Sequence, residues 1–158
     1  MKIIFLDVDG VLNSNSFAES MFETEGVRVF HEDILDKRCI IRLKTIVSRT
    51  GAEIVLSSTW RRIPEAREHL CNQLAEFGLT IHSDTPCMGR KRGDDISEWF
   101  IRHRDLDIES YIILDDDSDM GIHMSHLVHT SFFEWGLEDK HIEPAVQILN
   151  NEREDEDA

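Results

Sequence analysis

Three clusters of acidic, hydroxyl-bearing and small residues each follow directly on a short apolar run. They are Asp7-Val8-Asp9-Gly10, Ser57-Ser58-Thr59-Trp60-Arg61 and Asp115-Asp116-Asp117-Ser118-Asp119, and the basic pair Lys91-Arg92 stands between the second and the third. A short apolar run bounded by such residues indicates a buried strand, and open parallel sheets bind ligands at the carboxyl ends of their strands. We therefore expect the three clusters to meet in one crevice.

Carboxylates dominate this expected crevice. Asp7 and Asp9 are two residues apart on an extended chain and can project toward one side of the strand's exit, where Gly10 lets the backbone turn away. Together with Asp115 and Asp116 they would repel one another unless protons or a divalent cation neutralised them. A donor set made of oxygen alone suits Mg²⁺. The sequence thus predicts a magnesium site with these four aspartates as candidate ligands.

Serine hydroxyls and a Lys/Arg pair beside the metal would complete a site shaped for a phosphate group. In such a site one carboxylate can attack phosphorus while its neighbour protonates the leaving oxygen. We expect Gly10, Thr59 and Arg61 to lie beside the substrate. Helix capping is the alternative role for Ser57, Ser58 and Thr59, and we expect it for one of them even if another binds phosphate.

These segments resemble the haloacid dehalogenase (HAD) superfamily of aspartate-nucleophile phosphatases over roughly residues 1–150. Within that superfamily they resemble the small HAD domain of Swiss Army Knife RNA repair proteins. The segments that carry the resemblance are 5–13, 55–61, 92–96 and 113–120. The resemblance implies a Rossmann-like α/β fold and a magnesium-dependent phosphomonoester hydrolase that works through an aspartyl phosphate.

The resemblance also implies a role for each matched position. Asp7 would be the nucleophile and Asp9 the general acid and base. The other roles leave alternatives open: Ser57 or Ser58 as phosphate ligand, Lys91 or Arg92 as the cation that neutralises charge, and Asp115 or Asp116 as metal ligand.

Two other functions fit an aspartate at the end of a strand. A phosphate-binding or receiver-like regulatory module would be phosphorylated without rapid turnover, and an inactive HAD-fold interaction domain would use the fold alone. Asp9 favours the hydrolase, because a slow switch has no need of an acid two residues beyond the phosphorylated aspartate. All four motifs are present, which disfavours an inactive domain.

The secondary-structure elements that must position these residues can be predicted from the chain, in which short apolar runs alternate with segments of helical period. This is the pattern of an α/β domain, here a three-layer sandwich with a central parallel sheet and helices on both faces. The candidate strands are residues 3–6, 54–56, 79–81, 111–114 and 127–128. The candidate helices have apolar positions at 35–47, 66–77, 96–103 and 142–149, with Gly51 and Gly78 as stops for the first two.

The stretch 13–30 is polar and weakly periodic, and it is long for a connection between a strand and a helix. We expect it to be a loop that serves as a small lid, so that the domain has a minimal cap or none. An open site of this kind accepts a small phosphorylated metabolite or nucleotide, or the terminal phosphate of a nucleic acid. We assign residues 1–150 to one HAD-like domain and 151–158 to an acidic, disordered tail.

The charge and hydropathy of the chain disfavour several classes of protein. Hydrophobic residues make up 41% of the 158 residues, enough for one sizeable core. The formal net charge of −15 disfavours a broad basic surface for nucleic acid or for an anionic membrane. No apolar stretch is long enough for a membrane span or an export signal, so we expect no membrane partner and a cytoplasmic location. The three cysteines fit neither a disulfide framework nor a zinc site, and the oligomeric state stays open.

Two groups of polar residues near the third cluster have alternative interpretations. His123, His126 and His129 recur every three residues, but we expect surface residues here rather than metal ligands. Asp117 and Asp119 could form an Asx turn or could support the metal from outside its ligand shell.

The aromatic residues near the motifs are interpreted as structural. Trp60 and Trp99 fit packing better than base stacking, although Trp60 follows the start of the second cluster closely and could border the pocket. Phe132, Phe133 and Trp135 are typical of a core or a rim, and nothing in their pattern selects a substrate.

Overall fold

The alternating runs fold into a parallel sheet flanked by helices in the computed structural model, which describes residues 1–26, 28 and 34–152. The strands are β1 (Lys2–Leu6), β2 (Glu53–Leu56), β3 (Ile81–Asp84), β4 (Ser110–Asp115) and β5 (Leu127–His129). The α-helices are α1 (Asn15–Glu25), α2 (Lys37–Thr50), α3 (Pro64–Ala75), α4 (Arg92–Arg102) and α5 (Ile142–Leu149). Single stretches of 3-10 helix cover Thr59–Arg62, Gly121–His126 and Asp139–His141.

The sheet has the strand order β3-β2-β1-β4-β5, and every neighbouring pair is parallel. β1 is therefore the central strand, with β2 on one side and β4 on the other. Its register places Leu6 opposite both Leu56 and Leu114. Because these three strands end at the same level, the residues that follow them meet at one edge of the sheet.

Successive side chains of β1 enter two different cores, one on each face of the sheet. Leu6 belongs to the core that α2, α3 and α5 cover, for example through Leu43 of α2. Phe5 belongs to the opposite core, where Trp99 of α4 packs edge-on against it at 5.3 Å between ring centroids. This arrangement of helix, sheet and helix confirms the predicted three-layer, Rossmann-like α/β fold.

α2 shows how the sequence sets a helix in this fold. Cys39, Leu43 and Ile46 recur on one face and are fully buried. Asp36 accepts a hydrogen bond from the Arg38 N–H at its start, which satisfies one of the free donors of the first turn. The helix ends at Gly51, as the sequence predicts.

The third strand differs from the prediction, since it runs over Ile81–Asp84 and not over 79–81. The Leu79 N–H still donates to the Leu74 carbonyl at 3.0 Å, and Gly78 before it has a φ of +71°. Leu79 thus belongs to the turn that ends α3, and its buried side chain packs in the core without joining the sheet.

The segment predicted as a lid loop contains α1 instead. No residue of α1 is buried, and its few apolar residues, Phe17, Ala18, Met21 and Phe22, give only a weak hydrophobic period. Local caps define it: the Ser14 side chain accepts from the Phe17 N–H at 3.1 Å, and Gly26 ends the helix with a φ of +68°. Ser14 and Gly26 are the sequence signals that could have predicted α1.

Parts of two predictions lie outside the described residues. They are positions 27, 29 and 30 of the expected lid and residues 153–158 of the expected disordered tail. Within the described ranges, each helix is too short or too polar to cross a membrane.

Candidate active site

Asp7 and Asp115 lie side by side at the carboxyl ends of β1 and β4. The Asp7 N–H donates to the Leu114 carbonyl at 3.0 Å, which extends the ladder between the two strands by one residue. Both carboxylates are buried, with exposed fractions of 6% for Asp7 and 0% for Asp115. Asp116 turns toward the same point, and one oxygen from each of the three carboxylates lies within 4.8 Å of the others. We call these three residues the carboxylate group.

Gly10 makes room for the carboxylate group. Its φ of +83° lies in the left-handed region, and a Cβ built at this position would lie 2.3 Å from Oδ2 of Asp116. The Thr130 hydroxyl donates to the Gly10 carbonyl at 2.6 Å and fixes the turn. Gly10, predicted to lie beside the substrate, thus packs directly against one of the carboxylates.

Burial and mutual repulsion change the protonation of the carboxylate group. Burial raises the pKa of Asp115 to about 9, and the charge of Asp7 adds to the rise while Arg92 opposes it. Burial also raises the pKa of Asp7 to about 6, again against the lowering effect of Arg92. The pKa of Asp116 is raised as well, chiefly by burial. Without a bound cation, the group therefore keeps a proton near neutral pH.

Arg92 is the cation that contacts this group. Its Nε lies 3.5 Å from Oδ2 of Asp115, its Nη2 lies 3.9 Å from Oδ1 of Asp7, and its Nη1 donates to the Ser57 carbonyl. Lys91 is exposed, precedes α4 and makes no ion pair with a described residue. Of the two basic residues predicted for this role, the structure brings Arg92 to the carboxylates.

The start of α4 is fixed against the loop after β4. Asp119 accepts from the Arg92 N–H through Oδ2 at 3.1 Å, and its backbone carbonyl accepts from the Gly93 N–H at 3.1 Å. A Cβ on Gly93 would lie 2.3 Å from a backbone oxygen of the same loop. Asp119 thus holds the helix that carries Arg92, whereas the Asp117 N–H closes an Asx turn onto Oδ1 of Asp115 at 2.9 Å.

Ser57 and Ser58 have different roles. The Ser58 hydroxyl accepts from the Trp60 N–H at 3.2 Å and caps the 3-10 turn, which is the role expected for one of the serines. The Ser57 hydroxyl is fully buried and has no hydrogen-bond partner among the described residues. Because the Ser57 N–H donates to the Leu6 carbonyl at 2.8 Å, this free hydroxyl stands beside the end of β1. Thr59 is exposed at the first position of the turn.

The Asp9 carboxylate has partners outside the carboxylate group. Its Oδ1 accepts from Nδ2 of Asn13 at 2.8 Å, and its Oδ2 accepts from the indole N–H of Trp60 at 3.1 Å. Asp9 was predicted as a fourth metal ligand, but the structure does not bring its side chain to the other three. Trp60, interpreted from the sequence as a packing residue, also orients Asp9, and no local signal predicts a contact across 51 residues.

Arg61 is a buried structural residue. Its side chain is 6% exposed, pairs with Asp95 at 3.0 Å and donates to the carbonyls of Thr85 and Ser58. These contacts engage Nε and both terminal nitrogens in holding the structure, and the expected contact of Arg61 with substrate stays a prediction. Arg62 is exposed and makes no ion pair with a described residue.

The three histidines have separate partners. His123 is buried and lies between the Ser97 and Tyr111 hydroxyls, at 2.8 and 2.7 Å. His126 stacks on the Tyr111 ring at 3.8 Å between centroids, and His129 is exposed. The expectation of three surface residues is therefore wrong for His123. Among the described residues the histidines form no metal-binding group.

The donor set of the carboxylate group fits a hard divalent cation, because it consists of oxygen atoms alone. Oδ2 of Asp115 is buried and has no hydrogen-bond partner among the described residues, although Arg92 approaches it. A cation would satisfy this atom and would relieve the repulsion that raises the pKa values of the group. Asp7, Asp115 and Asp116 are thus the residues that could hold Mg²⁺.

The fold and the site together are those of a HAD domain, with an aspartate group at the carboxyl edge of a parallel sheet. A family model described as the HAD domain in Swiss Army Knife RNA repair proteins matches residues 3–142. The chain belongs to this family, and the family points to a phosphatase-type hydrolase. Neither a search of curated proteins nor a search of solved structures found a match.

Proposed function

We propose that the chain is a magnesium-dependent phosphomonoester hydrolase that works through an aspartyl phosphate on Asp7. The observation that supports this most is the position of one guanidinium, since Arg92 contacts Asp7, Asp115 and the backbone of Ser57. The guanidinium that would bind phosphate thus lies beside both the nucleophilic carboxylate of Asp7 and the cation-binding carboxylate of Asp115.

Each residue of the site has a distinct task in this proposal. Asp7, Asp115 and Asp116 would hold Mg²⁺, which would supply positive charge that stabilises the phosphate oxygens. Nη2 of Arg92 lies 3.9 Å from Asp7, beyond hydrogen-bond distance, and keeps its hydrogens for a phosphate oxygen. The Ser57 hydroxyl, which has no partner among the described residues, donates to another phosphate oxygen.

The reaction proceeds in two displacements at phosphorus. In the first, a carboxylate oxygen of Asp7 forms a bond to phosphorus, the bond to the leaving oxygen breaks, and Asp9 gives that oxygen its proton. In the second, Asp9 takes a proton from water, the water oxygen bonds to phosphorus, and the bond to Asp7 breaks. Asn13 and Trp60 keep the Asp9 carboxylate in one orientation through both steps.

The substrate is a small phosphomonoester or a single terminal phosphate of a nucleic acid. The described part of the segment between β1 and α2 contains one 11-residue helix, α1, and thus offers little cover over the site. The family is named for RNA repair proteins, which makes nucleotides and RNA ends natural candidates. The net charge of −15 argues against a long polynucleotide track.

Hydrolysis of an activated aryl phosphate tests the proposal. We expect turnover with Mg²⁺, its loss with excess chelator, and an acid-stable phosphoprotein on Asp7 after rapid quenching. A phosphoprotein that forms stoichiometrically and persists for hours with Mg²⁺ would support a receiver-like module instead. Absence of both turnover and phosphoprotein would overturn the proposal.

A further inference from the structure

A cavity of about 370 Å³ adjoins the carboxylate group. This volume falls within the range of small-molecule pockets, roughly 300–1,000 Å³. Asp116 belongs both to the carboxylate group and to the cavity wall. The other lining residues are His129, Thr130, Ser131, Phe132, Phe133, Glu134, Lys140 and His141. A group held in this cavity would therefore lie next to a phosphate held by the site.

Phe133 is an exposed aromatic residue at the rim of this cavity. Its exposed fraction is 80%, and its ring makes one edge-on contact, with Phe132 at 5.5 Å between centroids. Trp135, two residues further on, is 37% exposed and lies under the Arg38 guanidinium at 5.0 Å. Most of the Phe133 side chain is thus accessible to a ligand, whereas the nearby Trp135 indole already contacts Arg38.

The loop that carries Phe133 is held in place by backbone contacts. Residues 131–136 close through the Gly136 N–H, which donates to the Ser131 carbonyl at 3.0 Å. Gly136 packs so tightly that an added Cβ would lie 2.7 Å from the carbonyl oxygen of Val11, in the segment that follows Asp7 and Asp9. The Ser16 hydroxyl donates to the Phe133 carbonyl at 3.2 Å. The loop that carries this ring is therefore braced at the rim of the cavity, so that binding a ligand there needs little ordering of the backbone.

We propose that this cavity binds an aromatic ring carried by the leaving group, so that the chain prefers phosphomonoesters of nucleosides and other ring-bearing alcohols. This inference rests on the proposed hydrolase function. The ring stacks on Phe133 while the phosphate lies at the carboxylate group on the other side of Asp116. Such stacking is tolerant of the identity of the ring, because every base has a π-face.

Two matched pairs of substrates isolate the ring. Adenosine 5′-monophosphate and ribose 5-phosphate share the phosphorylated ribose, and benzyl phosphate and ethyl phosphate have leaving alcohols of similar acidity. We expect kcat/KM to favour the ring-bearing member of at least one pair by about tenfold or more. Phe133→Ala should remove that preference by lowering kcat/KM for the ring-bearing substrate, whereas Phe133→Tyr should retain the preference.

Phe22→Ala is the matched control, since Phe22 is also exposed but does not line the cavity. The proposed subsite is overturned if Phe133→Ala leaves the preference intact, or if it lowers the rates of both members of a pair equally. Binding of adenosine 5′-monophosphate and ribose 5-phosphate to wild type and Phe133→Ala, followed by NMR with Mg²⁺, separates this failure from that of the hydrolase. If the protein shows no turnover but binds adenosine 5′-monophosphate more tightly than Phe133→Ala does, only the hydrolase function is contradicted. If wild type and Phe133→Ala bind the nucleotide equally well, the subsite is contradicted.

Discussion

Nη2 of Arg92 lies 3.9 Å from Oδ1 of Asp7, so that the first turn of α4 brings a cation to the end of the central strand. The same guanidinium donates through Nη1 to the Ser57 carbonyl and thereby also touches the end of β2. A lysine has one ammonium group and cannot maintain these contacts together. Arg92 therefore links three strand ends in a way that depends on the shape of its side chain.

Arg92→Lys should lower kcat/KM for a phosphomonoester by roughly 10- to 100-fold, and Arg92→Ala by more, because donors aimed at the phosphate are lost. Lys91→Ala is the neighbouring control and should change the rate little, since Lys91 is exposed. Steady-state kinetics of the three variants test this. Equal losses in Lys91→Ala and Arg92→Ala would contradict the assignment.

Asp7→Asn should reduce turnover of an activated aryl phosphate by about 10³-fold or more, because the nucleophile is removed. Asp9→Asn should keep a burst of covalent phosphorylation with this substrate, since a good leaving group needs no proton, and should lose later turnover. Rapid-quench kinetics distinguish the two variants. Near wild-type turnover in Asp7→Asn would show that another residue is the nucleophile.

Magnesium should stabilise the fold, because the ion binds the carboxylate group in the native state only. At a hundred times its Kd the gain is about 2.7 kcal/mol, which a thermal melt resolves. Asp115→Asn should abolish the rise in Tm, whereas Asp117→Asn should retain it, since the Asp117 side chain is exposed and outside the group. Identical melting curves of the wild type with Mg²⁺ and with chelator would count against the site.

The metal-free protein should lose stability as the pH rises from about 4 to about 9. Folding raises the pKa of Asp7 to about 6 and that of Asp115 to about 9, so the native state holds more protons than the unfolded state in this window. The free energy of unfolding then falls with pH, by up to about 1.4 kcal/mol per unit for each proton. Urea unfolding at pH 5, 7 and 9 with chelator measures this. Asp115→Asn should flatten the dependence above pH 6, and a parallel dependence in both proteins would refute the prediction.

Hydrolysis of a phosphorylated oligonucleotide should depend weakly on salt. Arg62 and Arg90 are exposed and line, with Arg92, a cavity of about 200 Å³ beside the site. They could contact one or two phosphates beyond the one cleaved, each adding roughly 0.7 to the slope of log affinity against log salt. The slope of log kcat/KM against log salt tests this. A slope typical of six or more contacts would reveal an extended nucleic-acid groove.

The position of the polar clusters at the carboxyl edge of the sheet could be predicted from short-range patterns, because each cluster directly follows an apolar run. Asp7 and Asp115 meet because each follows its strand directly and the two strands are neighbours that end at the same level. The choice between Lys91 and Arg92 depends on where α4 begins, and helix ends are poorly determined by hydrophobic period. The structure distinguishes Lys91 from Arg92 because Asp119 accepts from the Arg92 N–H and so fixes where the first turn of α4 begins.

The orientations within the site depend on contacts between distant segments. Trp60 reaches Asp9 across 51 residues, and Arg61 turns inward because Asp95 of α4 offers a buried partner. Neither contact leaves a trace in spacing or composition. The same holds for Phe133, whose exposure is set by the loop packed against Val11 and not by its own sequence neighbours.

The hydrogen bond from Thr130 to the Gly10 carbonyl spans 120 residues and has a consequence for how the protein is made. During synthesis β1 emerges well before its neighbour β4 and the residues that brace its exit. Pairing β1 with β4 therefore requires closing a long loop, and such long-range pairing slows folding. Until then one edge of β1 is open to pairing with other chains. A chain that stops before residue 130 would carry Asp7 without the Thr130 hydrogen bond that fixes the Gly10 turn, and one that stops before β4 would also have an open strand edge, which favours aggregation.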